Sequence, residues 1–476
     1  MTDIAGLRER LEVLRAATRP LEPDADQRAA LGQQAMAHAL AYLAEVEEAP
    51  SNRPWSEVFA QRLDPEFTDE GRDPAAVLDY IATCIDRPGF ATTSPRFMAY
   101  IPGGGLFHSG LGDLLAAVSN KYSGFASASP GAVRIENACM DWLAKVIGYP
   151  DGAGGTLTSG GSIANLTAVI AAREARDPDG GGAIYTTRFA HYCVDKAIRI
   201  GGRAQAPRRV IATDECYRMD VGALEAALEQ DRRDGIAPWL VVASAGTVDT
   251  GAIDPLPQIA ELCRHYGAWF HVDGAYGGLF ALCDEGRDLM RGIDLADSVA
   301  LDPHKTLFLP YGTGACLVRD QRHLLDAFSA TGAYIQPLGE SEVGSSPADL
   351  SPELTRHFRA LRLWLPLQVA GIAAFRAAQS EKLALARYFH ARLCELDGFD
   401  PGPEPDLSVV AFRYGDDDEF NERLITHLQR EGRVMLSGTR IDGRFYIRCA
   451  ILSFRTHIEH IDQAIAAIVD GVAALA

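Results

Sequence analysis

The stretch "GTLTSGGSIANLTAVIAAREA", residues 155–175, decides the fold. Thr156-Leu157-Thr158 reads as a short strand, and Gly160-Gly161-Ser162 interrupts it. Ile163, Leu166, Val169 and Ile170 then recur at the spacing of a helix with one inward face. Outward from this unit the alternation repeats. "GAIYTT", "RVIATD", "LVVASAGT", "AWFHVD" and "DSVAL" are strand-like, and helical stretches such as "VGALEAALEQDRR" lie between them. Such alternation predicts a largely parallel sheet covered on both faces. Ligands of these folds gather at the carboxyl ends of the strands, so chemistry is expected in the residues that follow each strand.

The flanks differ. Residues 25–47 carry Leu31, Ala35, Ala39 and Leu43 near one helical face, and a Pro- and charge-containing connector, "EEAPSNRPW", follows. "SPRFMAYIPGGGLFHSG" breaks regular structure with two prolines and three consecutive glycines. Further on, "TGAYIQPLGESEVGSSPADL" (331–350) is polar and aperiodic, the signature of a lid or a disordered loop. A long helix is predicted from "SPELTRHFRALRLWL", capped by Ser351, with Pro352 in its first turn and Leu354, Phe358, Leu361 and Leu365 as its stripe. From "DPGPEPDLSVVAFRYG" to the C-terminus the chain reads as a separate small α+β unit.

Composition bounds the function. At 476 residues there is room for two or three structural units and a large core. Apolar residues at 47% and charged residues at 23% are ordinary for a soluble globular enzyme. A net charge of -19 leaves no basic stripe for nucleic acid, although a helix N-terminus still binds a phosphate group locally. The nine cysteines are scattered without a CxxC pair, which suits a reducing compartment. The start lacks a signal-peptide core, and no run of about 18 apolar residues suggests a membrane span. A cytoplasmic protein with no membrane partner is expected.

Four motifs after strands carry candidate chemistry. Gly160-Gly161-Ser162 lets backbone N–H groups approach an anion, with the Ser162 hydroxyl at the positive end of the next helix; the plainer reading is a turn with an N-cap serine. "WFHVDGAYGG" places Asp273 at a strand's carboxyl end, followed by small residues that leave room for something flat. A buried carboxylate wants a cation, such as a protonated ring nitrogen, though a strand-end aspartate also caps neighbouring turns. "LDPHK" delivers His304 and Lys305 after the following strand. A lysine in an apolar cleft or near another cation is a nucleophile for carbonyls, whereas most loop lysines are simply solvated. "AHYCVDKA" puts His191 just past "AIYTT", where an imidazole stacks on a ring, exchanges protons or serves only the structure. Together they match one cofactor. Pyridoxal 5'-phosphate needs a phosphate cup, an acid partner for its pyridine nitrogen, a lysine for its aldehyde and a face for its ring.

At these residues the chain resembles the group II pyridoxal-phosphate decarboxylases, the family of aromatic-amino-acid, glutamate and histidine decarboxylases. "TSGGSIANL", "AHYCVDKA", "FHVDGAYGG", "LDPHK" and "TRHFRALRLW" carry the resemblance, with "RFMAYIP" and "SASPGAVRIENACMDWL" upstream. It covers nearly the whole chain. The resemblance implies an α/β protein of PLP fold type I (aspartate aminotransferase-like), with a mixed, mostly parallel seven-stranded sheet and helices on both faces. It implies an N-terminal helical segment (1–105) wrapping the partner subunit, a large PLP-binding α/β domain (106–375) and a C-terminal small α+β domain (376–476). An obligate homodimer with active sites at the interface goes with it.

The implied activity is that of a carboxy-lyase, a PLP-dependent amino acid decarboxylase. It would turn an L-amino acid, aromatic in the first instance, into the amine and CO2. By matching motifs, Lys305 corresponds to the lysine that holds the cofactor as an internal aldimine. Asp273 corresponds to the pyridine partner and His191 to the ring-stacking histidine. Gly161, Ser162 and His304 correspond to phosphate contacts, Ala275 lies beneath the ring and Thr247 is a neighbour. Tyr100, Ile101, Pro102 and Phe125 correspond to the substrate's side-chain pocket.

Departures from the family pattern open alternatives. Thr306 stands where the animal aromatic decarboxylases have tryptophan, and 335–355 contains no tyrosine. The family's loop tyrosine, which would fall near Ser346, returns a proton to the carbanion. Its loss is associated with oxygen-dependent aldehyde formation, so an aldehyde is the second product reading; a non-aromatic substrate is another. Ile101 replaces an aromatic residue, and Gly103-Gly104-Gly105 suggests an enlarged pocket. An aminotransferase would need an arginine for the α-carboxylate, with Arg448 as candidate. A non-catalytic scaffold would not keep Lys305, Asp273 and His191. A zinc hydrolase built on His271, Asp273 and His304 lacks the usual ligand spacing, and no metal is expected.

Overall fold

Short apolar runs form the centre of the main sheet, as expected of strands buried on both faces. The computed structural model describes residues 3–54, 67–330 and 344–475. Seven strands build this sheet: β1 (Gly154–Thr158), β2 (Ala183–Thr187), β3 (Arg208–Ile211), β4 (Pro238–Ser244), β5 (Trp269–Gly274), β6 (Ser298–Leu301) and β7 (Gly314–Val318). Their order is β1-β7-β6-β5-β4-β2-β3. Strand β7 runs antiparallel to both β1 and β6, and the remaining neighbours are parallel. Leu240, Val241, Val242, Phe270, Val272, Val299 and Leu301 are no more than 1% exposed. Burying each such side chain contributes roughly 1.5–3 kcal/mol.

The parallel strands β4, β5 and β6 aim their carboxyl ends the same way, so the residues after them share one edge of the sheet. Six strands fall where the apolar runs predict them. Strand β7 is the addition: "GACLV" begins at the last glycine of "YGTG" with only the four-residue turn Pro303–Thr306 before it, so it carries no alternation signal.

Downstream, β8 (Phe399–Asp400), β9 (Val409–Tyr414), β10 (Ser437–Ile441) and β11 (Arg444–Ala450) form an antiparallel sheet in the order β8-β9-β11-β10. Helices Ile372–Cys394, Asp418–Glu431 and Ile458–Leu475 pack against it through Phe389, Leu424, Leu428 and Ile468. This is the α+β unit read from the C-terminal sequence.

The helix predicted from Ser351 begins later, at Ala360, and runs to Ala370. Ser351 bonds locally to the Pro347 carbonyl instead. The nine residues before the helix stay irregular because their arginines serve elsewhere. Arg356 reaches into the sheet core to Glu136 and the Leu157 carbonyl, and Arg359 turns back onto Glu353. A helix here would aim both guanidinium groups differently. Of the expected lid at 331–350, residues 331–343 lie outside the described residues.

The chain divides into two compact units, Met1–Ser94 and Pro95–Ala476. In the first, helix Ala25–Glu45 starts at a capping box. Asp24 Oδ1 accepts from Gln27 N at 2.9 Å, and Gln27 Oε1 accepts from Asp24 N at 3.0 Å. Neither this helix nor Ile4–Ala17 has a buried residue. Among the described residues, no helix is long and apolar enough to cross a membrane.

Candidate active site

A cavity of about 280 Å3 opens at the carboxyl ends of β1, β2, β4, β5 and β6. That is near the lower end of small-molecule sites, roughly 300–1,000 Å3. Gly161, Ser162, His191, Thr247, Asp273, Ala275, His304 and Lys305 all line it. Tyr100, Ile101, Pro102 and Phe125 do not: within one chain they belong to other surroundings. Asp302, Phe189, Cys193 and Ser244 also line it and were not singled out from sequence.

After β1 the chain turns at Gly160, whose φ of 151° is open chiefly to glycine. Gly161 then starts the helix Gly161–Arg176. A Cβ on Gly161 would stand 2.8 Å from Asp302 Oδ2 and 3.1 Å from the Ala275 methyl, so this glycine is needed for close approach. The helix start is pinned from below. Asn165 Nδ2 donates to the Gly161 carbonyl at 2.8 Å, and Asn165 Oδ1 lies 2.8 Å from His271 Nε2. His271 therefore supports the glycine turn through Asn165.

Asp273, the penultimate residue of β5, is 8% exposed. Its Oδ1 accepts from Ala275 N at 3.1 Å. The carboxylate thus caps its own turn and lines the cavity, uniting both readings of the sequence.

Lys305 sits in the single helical turn Pro303–Thr306. Its Nζ is 3.0 Å from Oδ2 of Asp302, which is 2% exposed. Burial works to lower the Lys305 pKa, but Asp302 and then Asp273 outweigh it, and the amine is held above its ordinary value. The lysine is an ammonium paired in place, not a solvated loop residue.

Both cavity histidines are pushed the other way, primarily by burial. His191 Nδ1 accepts from Cys193 N at 3.3 Å, so the ring is the N-cap of helix Tyr192–Ile200. Histidine is an unusual cap, which is why this dual use was not apparent from sequence. His304 Nδ1 donates to the Thr313 carbonyl at 2.7 Å, which fixes the ring next to Gly160. Thr247 spends its hydroxyl within its own loop, on Thr250 at 2.9 Å and Ala252 N at 3.1 Å.

Two other expectations change. Gly103 and Gly104 do not enlarge a pocket. Cβ atoms there would meet the Tyr311 ring at 2.9 Å and Phe308 at 2.3 Å, so the glycines admit the chain that follows Lys305. Thr306, where the animal aromatic decarboxylases have tryptophan, is fully buried and donates to the Tyr276 carbonyl. Arg448 is also buried. It bonds to the carbonyls of Val248, Asp249 and Tyr100 and to Ser437 Oγ, so its donors are committed and it does not stand free to read a carboxylate.

The Pyridoxal-dependent decarboxylase conserved domain matches residues 57–415. The chain belongs to the pyridoxal-dependent decarboxylase family. An aromatic-L-amino-acid decarboxylase of Bacillus atrophaeus is 32% identical to this decarboxylase over 455 residues, 93% of this chain and 95% of that one. A phenylacetaldehyde synthase of Petunia hybrida is 29% identical over 400 residues, 78% and 79% of the two chains. The crystal structure of Oryza sativa TDC with PLP and tryptamine superposes with a TM-score of 0.89 at 25% identity, covering 95% of this chain and 99% of that one.

The decarboxylase is a carboxy-lyase of PLP fold type I that uses pyridoxal phosphate. Its cavity fits that cofactor on chemical grounds. It offers a glycine turn that a Cβ would block, an amine paired with the buried carboxylate of Asp302, a second buried carboxylate in Asp273 and a half-buried imidazole.

Proposed function

We propose that this enzyme decarboxylates an aromatic L-amino acid to its amine, with Lys305, Asp273 and His191 as catalytic residues. The observation that carries the assignment is their convergence, from three separate strand ends, on one cavity with the Gly160–Ser162 turn. The aromatic preference is supported by the relatives named as aromatic-L-amino-acid decarboxylases.

Pyridoxal phosphate, when bound, supplies an electron sink for the bond that loses CO2. Lys305 would hold it covalently and take up a proton when the substrate's nitrogen replaces the lysine. Asp273 would keep a proton on the ring nitrogen. Gly161, Ser162 and His304 would bind the phosphate at the helix N-terminus, with Ala275 beneath the ring and Thr247 beside it. His191 would lie over the ring, and its Nε2 would be free to carry a proton because Nδ1 is occupied by the Cys193 amide.

The working unit in this reading is a cytoplasmic homodimer with sites at the interface. Residues 1–105 wrap the partner, 106–375 bind the cofactor and 376–476 form the small domain. Leu7, Leu11 and Leu14 support it, being exposed on a helix that buries nothing in a single chain. Tyr100, Ile101, Pro102 and Phe125 would then complete the substrate pocket at that interface. All nine cysteines are free, which suits a reducing compartment.

A second product is favoured by a specific observation: 335–355 holds no tyrosine, and a phenylacetaldehyde synthase is among the relatives. The deciding experiment incubates holoenzyme with pooled amino acids plus L-DOPA in air, followed by mass spectrometry. An amine smaller than one substrate by CO2 establishes the primary reading. An aldehyde formed with peroxide establishes the second. Loss of a non-aromatic amino acid overturns the aromatic preference.

A further inference from the structure

Asp302 is the least explained group at the site. It enters the turn that carries Lys305, is almost wholly buried, and its Oδ2 lies 3.0 Å from Lys305 Nζ. Its Oδ1 has no hydrogen-bond partner, although His304 Nδ1 is 3.8 Å away. A buried carboxylate oxygen left open next to a reactive amine is costly unless something uses it.

We propose that Asp302 is a positioning residue for Lys305. Its carboxylate fixes the amine at the cavity wall, and it relays the proton that Lys305 must shed before its nitrogen can bond to a carbonyl carbon. The inference rests on the functional reading only for which carbonyl that is.

The proton balance closes within the pair. The proton passes from Nζ to the Asp302 carboxylate, freeing the nitrogen lone pair for the new C–N bond. It is then available to the oxygen that leaves as water when an amine condenses with an aldehyde. No outside acid or base is consumed. The i,i+3 spacing in one turn keeps the transfer distance short, and β6 holds the turn from one side.

Other charges also face the amine. Asp273 from β5 raises its proton affinity, while burial opposes it; the nearby Cys193 thiol, pushed up to about 12 by burial, stays neutral. Lys305 in turn acts on His191 and His304 and depresses each. Asp302 is the nearest carboxylate and the largest of the influences that favour the ammonium. Its removal should therefore leave burial dominant and expose the amine at lower pH.

The test needs no bound cofactor. Full-length enzyme stripped of cofactor is treated with formaldehyde and cyanoborohydride across a pH series, and methylation of each lysine is read by mass spectrometry. In the wild type, the Lys305 midpoint should lie above that of the exposed Lys196. Asp302→Asn should move it down, raising Lys305 labelling relative to Lys196 at pH 7.5 by about tenfold or more, one pH unit in the midpoint. Asp302→Glu should restore a high midpoint. Equal midpoints in wild type and Asp302→Asn overturn the proposal. So does a wild-type Lys305 no harder to label than Lys196, which decides even if the variant fails to fold. Failure of the wild type to bind pyridoxal phosphate would sink the functional reading separately.

Discussion

Arg356 and Glu136 pair at 2.8 Å with neither side chain more than 1% exposed. Glu136 also accepts from Leu157 N at 3.3 Å, and Arg356 donates to the Leu157 carbonyl. One ion pair thus satisfies the N–H and carbonyl of Leu157 in β1, just before the Gly160 turn. Breaking a buried pair from one side costs about 3–5 kcal/mol, because the survivor is left charged and alone. Arg356→Met should lower stability by that amount and weaken cofactor binding. Adding Glu136→Leu should recover part of the stability, and a denaturant-unfolding cycle over the four proteins checks it.

Lys305→Ala should reduce turnover to background. It should also abolish the cofactor-labelled peptide that borohydride reduction leaves in the wild type, read by mass spectrometry. The same change strips Asp302 of its cation, so the melting temperature should fall as well. Retained labelling at another lysine would refute the role given to Lys305.

His271 should govern part of the acid limb of stability. Burial lowers its pKa from 6.5 to about 4, against a smaller upward influence of Asp273. Between those values the unfolded chain takes a proton that the folded one refuses. The contribution is therefore complete above 6.5 and lost as the pH falls through about 4, on the order of 3 kcal/mol in all. Asp254 works in the opposite sense: burial raises it from 3.8 to about 6, so its contribution is present below 3.8 and lost as pH rises through 6. Melting temperatures of wild type and His271→Gln across this range, taken as a difference, isolate the histidine. A flat difference would refute its control of that limb.

Leu11→Glu combined with Leu14→Glu should weaken self-association while leaving the fold intact, since both side chains are exposed in a single chain. Sedimentation at several concentrations should show a dimer in the wild type and dissociation in the variant. A wild type that sediments as a monomer at every concentration would overturn the dimer.

Much of this molecule was legible in its residues, for reasons that can be named. Strands such as Trp239–Ala243 and Val299–Leu301 are continuous apolar runs punctuated by turns, and position after a strand placed Lys305, Asp273 and His191 at one edge. Local pattern failed where partners are distant. Nothing near Arg356 in the chain announces Glu136, so a helix was expected where a core-seeking arginine prevents one. Arg448 looked free for the same reason, its partners Tyr100 and Val248 being far away in sequence. Asp302 was different. It stands three residues before Lys305 in the chain, but only the buried, half-satisfied carboxylate gives that spacing a meaning.

Arg448 bolts three layers together: the loop after β4, the backbone of Tyr100 and the edge strand β10 through Ser437. Tyr100 is held there at a φ of 56°, a conformation that a bulky residue adopts only under such constraint. For the C-terminal sheet to swing as a hinged jaw, this buried guanidinium would have to surrender four acceptors at once. The cavity wall on that side therefore behaves as masonry rather than as a door. Val248, which lines the cavity, is thereby tied to the same guanidinium as the C-terminal sheet.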